Sequence, residues 1–196
     1  MKRIATLIAA IPLLSMSAEA ADGVWTFNER TCLTVDGDKG CSRGHEDFMF
    51  LGRTAYYRPD AGGYWTEIGT VTIEGKSVFV QVSREGVGRL VAARAGVDVT
   101  ELLQEFSFTY KGRLRGNRIV NGRARVNLVI TVDETTHRIK GNATFTGRRI
   151  GESYPVPPPD PYYYGYGEIT AAASSHGNPD AAFSAVRGAV SHAVGW

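Results

Sequence analysis

The chain alternates apolar and polar side chains with a period of two between residues 24 and 150, and this pattern constrains its fold most strongly. Val78, Val80 and Val82 lie two residues apart, and so do the apolar residues of segment 126–132. Side chains two apart share one face of a strand, whereas a helix repeats every 3.6 residues. The pattern therefore predicts strands with one apolar face and one mostly polar face.

Short turn signals such as Glu74-Gly75-Lys76, Glu85 to Gly88 and Asn121-Gly122 divide this pattern into strands. Connections of about two to five residues join antiparallel neighbours in hairpins. We predict an all-β, antiparallel up-and-down β-barrel of about eight strands with a short C-terminal helix or tail. Side chains fill the interior of such a barrel, or it holds one small ligand. The predicted strands are 24–30, 47–58, 64–74, 77–84, 89–94, 106–115, 123–132 and 138–149.

Two helices are expected besides the strands. The first is a short helix from Asp98 to Glu105, because Asp98 is a suitable N-cap and Glu101 follows three residues later, as in a capping box. The second lies at 179–194 in the C-terminal tail, where Asn178 is a suitable cap.

The sequence predicts four segments. Residues 1–20 have the basic start, the short apolar run and the Ala18-Glu19-Ala20 site of a cleaved export signal. Residues 21–150 form the barrel domain, and 151–167 a linker or strap rich in Pro and Tyr. Residues 168–196 form the tail. The signal predicts a periplasmic or secreted protein.

Cys32 and Cys41 are the two cysteines of the chain. An oxidising compartment favours a disulfide between them. The alternative is a metal site, but two thiols with only His45 nearby are an incomplete zinc set. We therefore predict a disulfide, and neither a metal nor a cofactor.

Positive charge is concentrated in residues 111–149, which hold ten Lys and Arg against two Asp and Glu, a net charge of +8. Arg113, Arg115, Arg123 and Arg125 alternate with apolar neighbours, so we expect them on the outer face of two adjacent strands. They are candidates for binding an anionic amphiphile, such as lipopolysaccharide or anionic phospholipid, or an anionic macromolecule. The alternative is an ordinary solvated face. Peripheral membrane contact fits this charge, and no nucleic acid is expected.

Gly23-Val24-Trp25 opens the first strand, and Arg148 and Arg149 close the last. This arrangement resembles the calycins, the barrel group that includes the lipocalins. The resemblance implies that Trp25 plugs one barrel end, that Arg148 or Arg149 packs over it, and that the barrel is a cup for a hydrophobic ligand. The alternative is that Trp25 is an ordinary core aromatic.

Little in the sequence points to catalysis, and we predict no catalytic residue. His45-Glu46-Asp47 is the one dense cluster of catalytic residue types, and such a group at the start of a strand is usually solvated. Aromatic residues are abundant in the second and third predicted strands. Tyr57 and Trp65 are therefore candidates for a ligand mouth, although core filling is the alternative.

The sequence leaves four functional hypotheses. The first is a non-enzymatic binding protein for a hydrophobic or anionic amphiphilic ligand. The second is an interaction or inhibitor protein that binds a macromolecular or polyanionic partner through its basic face. An enzyme based on the His45 cluster and a small outer-membrane barrel ending in Trp196 have less support.

Overall fold

A computed structural model of the protein describes residues 21–58, 64–95, 99–132 and 134–156. Eight antiparallel strands close into a barrel in the order β1 to β8, each paired with its neighbour in sequence, and β8 pairs with β1. The up-and-down barrel predicted from the sequence is therefore confirmed. The strands are β1 Gly23–Val35, β2 Asp38–Leu51, β3 Thr54–Arg58, β4 Thr66–Glu74, β5 Ser77–Val82, β6 Leu103–Arg115, β7 Arg118–Val132 and β8 Thr135–Gly151.

The prediction of a strand at 89–94 is wrong, because these residues lie in the helix α1, Arg84–Ala95, between β5 and β6. Val87, Leu90 and Val91 are buried together, and their spacing is that of one helix face. The turn predicted at Glu85 to Gly88 is the start of the same helix.

The short helix predicted at 98–105 is also wrong over its described part. Thr100–Leu102 form a single 3₁₀ turn, and β6 begins at Leu103. Leu103 is buried opposite Ile130 of β7, so core packing favours the strand over the capping signal. The predicted strand 47–58 is two strands, because the chain turns at Gly52, where φ is +60°.

Helix α1 begins very close to the sheet. The Ser83 side chain caps it by accepting a hydrogen bond from the Gly86 backbone N–H, at 2.9 Å. A Cβ atom at Gly86 would lie 1.9 Å from the carbonyl oxygen of Ile68 in β4. Only glycine permits this approach, which brings Val87 and Leu90 over one end of the barrel.

Aromatic rings fill the middle of the barrel. The Phe27 ring is stacked between Phe48, at 4.4 Å between centroids, and Phe145, at 4.6 Å. Tyr110 meets both of these outer rings edge-on. Gly147 lies opposite Phe27 in the β1–β8 register, and a Cβ there would lie 2.9 Å from the Phe27 ring.

Little free space remains beside the aromatic cluster. A gap of about 10 Å³ lies between β1, β6, β7 and β8, where Thr31, Phe108 and Ala143 are among the lining residues. One water molecule needs about this much volume. The middle of the barrel is therefore filled by side chains.

Cys32 and Cys41 form the predicted disulfide. They are directly opposite each other in the β1–β2 pairing, with Cα atoms 4.1 Å apart. The bond closes the end of a long hairpin and stabilises the fold by about 2–3 kcal/mol on the chain-entropy model.

The predicted linker 151–167 is described as far as Val156: Gly151 ends β8, and residues 152–156 are irregular. The predicted signal 1–20, the tail 168–196 and its helix at 179–194 lie outside the described residues. No helix in the described part of the chain is long and apolar enough to cross a membrane.

We expect Gly86→Ala to lower the free energy of unfolding by about 2 kcal/mol or more, because the added methyl group forces α1 away from β4. Urea denaturation monitored by circular dichroism measures this change. Gly44→Ala is the matched control: a Cβ at Gly44 meets nothing within 4 Å, so we expect a change within about 1 kcal/mol. Equal losses in the two variants would contradict the packing argument.

Candidate anion-binding surface

The structure places the four predicted arginines on one outer face of the barrel. Arg113 and Arg115 lie on β6, Arg123 and Arg125 lie on β7, and all four are exposed. In the β6–β7 register Arg123 lies opposite Lys111, and Arg115 lies opposite Arg118. Cations therefore face cations across these two strands.

Strand β8 extends this positive surface. Arg118 lies opposite Arg148 in the β7–β8 pairing, and Arg148 is exposed. Strands β7 and β8 contain no Asp or Glu. We call the surface formed by the exposed cations in this half of β6, β7 and β8 the basic patch. It consists of Lys111, Arg113, Arg115, Arg118, Arg123, Arg125 and Arg148.

The charges of the basic patch are not neutralised within the described part of the chain, where the ion pairs involve other cations. Opposite residues in a sheet have Cβ atoms about 4.5–5.5 Å apart, so each like-charged pair costs about 0.2–1 kcal/mol. Guanidinium groups present fixed forks of N–H donors that match phosphate oxygens. An anionic partner that lies across the patch removes this repulsion.

A further like-charged pair lies on the other side of β8. Arg30 of β1 is directly opposite Arg43 of β2, and both are exposed. A surface cleft of about 320 Å³ lies beside them, lined by Arg30, Cys41, Ser42 and Arg43. This pair and the basic patch belong to one row of cross-strand neighbours, in the order Lys111, Arg123, Thr144, Arg30 and Arg43.

Sequence reasoning missed Arg30 and Arg43, because they stand in a part of the chain where acidic residues outnumber basic ones. One signal was available. Arg30 stands two residues before Cys32, and Arg43 stands two residues after Cys41. A disulfide between directly opposite residues of a hairpin places the two arginines opposite each other as well.

The two aromatic candidates have different environments. Tyr57 is 1% exposed and packs edge-on against Phe48 inside the barrel, so it fills the core rather than lining a mouth. Trp65 is half-buried, and the Arg58 guanidinium lies 4.5 Å from the centre of its ring. Its indole N–H donates a hydrogen bond to the Tyr154 hydroxyl. The segment after β8 is therefore attached to the start of β4.

Trp25 is 1% exposed at the barrel end opposite α1. Its indole N–H donates a 2.8 Å hydrogen bond to the carbonyl oxygen of Ala21, and its ring lies 6.3 Å from that of Phe50. The residue is therefore a buried member of the core near this end of the barrel.

The two arginines at the end of β8 face opposite ways. Arg149 lies across from Trp25, whereas Arg148 lies across from Thr26 on the outer face. Gly23 has a φ of +144°, and a Cβ there would lie 2.8 Å from the carbonyl oxygen of Gly151 as well as 2.4 Å from Nε of Arg149, so this position favours glycine. Arg149 also forms an ion pair with Glu152, at 2.7 Å.

The His45 cluster is divided between the two faces of β2. His45 and Asp47 belong to the outer face, where they lie opposite Asn28 and Thr26, and Glu46 belongs to the inner face. Asp47 accepts a hydrogen bond from the Thr26 hydroxyl at 2.6 Å and forms an ion pair with Arg58 at 2.8 Å. These contacts give Asp47 a structural role. Over the described ranges, no group of three or more His, Cys, Asp or Glu is arranged to hold a metal ion.

Comparison of the chain with protein-family models, with curated proteins and with solved structures finds no match. The closed antiparallel barrel of eight strands is compatible with a calycin fold. Membership of that group therefore stays a prediction, and the function has to be inferred from the protein's own surface.

We expect Asp47→Asn to lower the free energy of unfolding by about 1–2 kcal/mol, because the neutral amide loses a charge-assisted bond to Arg58. Urea denaturation with the disulfide intact measures the loss. His45→Gln, two residues away on the same face and exposed, is the control, with an expected change within about 0.5 kcal/mol. A larger loss from His45→Gln than from Asp47→Asn would contradict this assignment.

Proposed function

We propose that this protein is an exported, non-enzymatic binding protein that recognises an anionic amphiphile through the basic patch. The observation that carries the proposal is a set of seven exposed cations on three neighbouring strands, without a carboxylate partner in the described part of the chain. Neighbouring strands are about 4.8 Å apart, so several phosphate groups can be contacted at once.

The aromatic side chains that fill the middle of the barrel support a ligand on its outside rather than in a cup. The cavity described between β1 and β8 has the volume of about one water molecule, whereas ligand pockets have volumes of about 300–1,000 Å³. The acyl part of an amphiphile then remains in its membrane or micelle while the basic patch contacts the anionic groups.

Export and a distant relation to the calycins are further parts of the proposal. The Cys32–Cys41 disulfide supports folding in an oxidising compartment. The placement of Trp25 at a barrel end, with Arg149 opposite it, supports the calycin relation. A hollow cup is not part of the proposal.

The same patch also suits the alternative partner, a soluble polyanionic macromolecule. By contrast, its seven cations argue against an outer-membrane barrel, whose outward band is apolar. Vesicles and a soluble polyanion therefore have to be compared directly.

We expect Lys111→Gln/Arg123→Gln to weaken binding to phosphatidylglycerol vesicles about 30-fold, since each cation near an anionic surface contributes about 1 kcal/mol. Vesicle co-sedimentation at several salt concentrations measures the affinity. Phosphatidylcholine vesicles should not bind. Arg53→Gln/Arg89→Gln removes the same net charge from exposed positions outside the patch, so its affinity should stay within about threefold of the wild type.

Two outcomes would decide against the proposal. Salt-independent binding to phosphatidylglycerol, or equal losses in the patch variant and its control, would exclude recognition through the basic patch. Patch-dependent binding to heparin without binding to vesicles would select the polyanionic macromolecule instead.

A further inference from the structure

Arg30 and Arg43 form a like-charged pair, and among the described strands no Asp or Glu occupies a neighbouring position on the same outer face. On the same outer face, the next cross-strand pair toward the hairpin turn is Cys32 and Cys41. Thr144 of β8 lies beside Arg30. In the other direction the next pair on this face is Asn28 and His45. The carboxylates of Glu29 and Glu46 are close to the two arginines in sequence. Because side chains alternate between the two faces of a strand, both of these residues belong to the inner face.

The disulfide fixes the spacing of the two arginines. Cys32 and Cys41 occupy the next outward-facing pair of the same hairpin, two residues from Arg30 and Arg43 along each strand. A covalent bond at this position prevents the strands from separating to relieve the repulsion between the guanidinium groups. The two side chains are therefore held on one face beside an open cleft.

We propose that Arg30 and Arg43 bind one dianionic oxyanion, of the chemical class of phosphate monoesters, in the cleft that they line with Cys41 and Ser42. Each guanidinium presents a planar fork that can donate two parallel hydrogen bonds to a phosphate. Two forks match the dianion that a phosphate monoester carries at neutral pH. The Thr144 hydroxyl beside Arg30 is a further donor.

The disulfide determines the affinity of this site through preorganisation. When the two arginines are already adjacent in the free protein, binding does not have to overcome the ordering of the hairpin end. Reduction of Cys32–Cys41 allows the arginines to separate, so the reduced protein binds phosphate more weakly. The site does not depend on the proposed function, because it lies beyond β8 from the basic patch and uses different residues.

In the test, the oxidised full chain is titrated with inorganic phosphate in a chloride buffer, and calorimetry measures the binding. We expect saturable binding with one phosphate per chain. Arg30→Gln and Arg43→Gln should each weaken it about tenfold or more, as expected when a charged hydrogen-bond donor is lost. Arg30→Lys should also weaken it, because the charge remains but the fork is lost.

Thermal unfolding provides a second readout that does not depend on calorimetry. Without phosphate, Arg30→Gln/Arg43→Gln should be at least as stable as the wild type, because the repulsion is gone. Phosphate should raise the Tm of the wild type and leave that of the double variant unchanged. Lys111→Gln/Arg123→Gln is the matched control, and it should bind phosphate within about threefold of the wild type.

Vesicles distinguish the two sources of a phosphate monoester. Phosphatidic acid vesicles that bind more tightly than phosphatidylglycerol vesicles, and only when Arg30 and Arg43 are present, identify a lipid headgroup. Binding of inorganic phosphate without this preference identifies a free anion. The proposal is overturned if the Arg30 and Arg43 variants bind both inorganic phosphate and phosphatidic acid vesicles as tightly as the wild type does. This conclusion holds even if Lys111→Gln/Arg123→Gln has lost its binding to vesicles, because that loss concerns the basic patch.

Discussion

The stack of Phe27 between Phe48 and Phe145 is the interaction on which the rest of this structure depends. These rings come from β1, β2 and β8, so one cluster joins the strands on both sides of the barrel seam. Each aromatic pair contributes about 0.5–1.5 kcal/mol beyond the area that it buries. Because the rings occupy the middle of the barrel, the proposed function places recognition on the outer face.

Much of the fold could be predicted from local sequence, and its exceptions have physical causes. Alternation identifies a strand wherever one face is buried and the other is wet, and this held for most of the barrel. It failed at α1, where a short run such as Leu90 and Val91 fits either a strand or a helix face. The close approach of Gly86 to the backbone of Ile68 favours the helix here, and Ile68 is distant from this segment in sequence.

The candidate site shows the same division between local and distant information. The shared outer face of Arg113, Arg115, Arg123 and Arg125 follows from spacing alone, and the structure places them there. Spacing alone does not set the register between strands, so Arg30 and Arg43 appear unrelated until β1 and β2 are aligned. Likewise, alternation separates Tyr57 from its neighbour Tyr56 but does not say which of the two faces is the inside.

The pairing order of the barrel also has a consequence for how the chain folds. Each strand from β1 to β8 pairs with the next one in sequence, and most of these ladders can form as local hairpins with short loop closures. The β5–β6 ladder is an exception, because residues 83–102, which include α1, connect its two strands. The seam between β1 and β8 is different, because it joins the two ends of the barrel sequence. Until it closes, two long strand edges are exposed to other chains, and edges of this kind are where aggregation begins. Closure of the seam therefore protects these two edges from pairing with other chains.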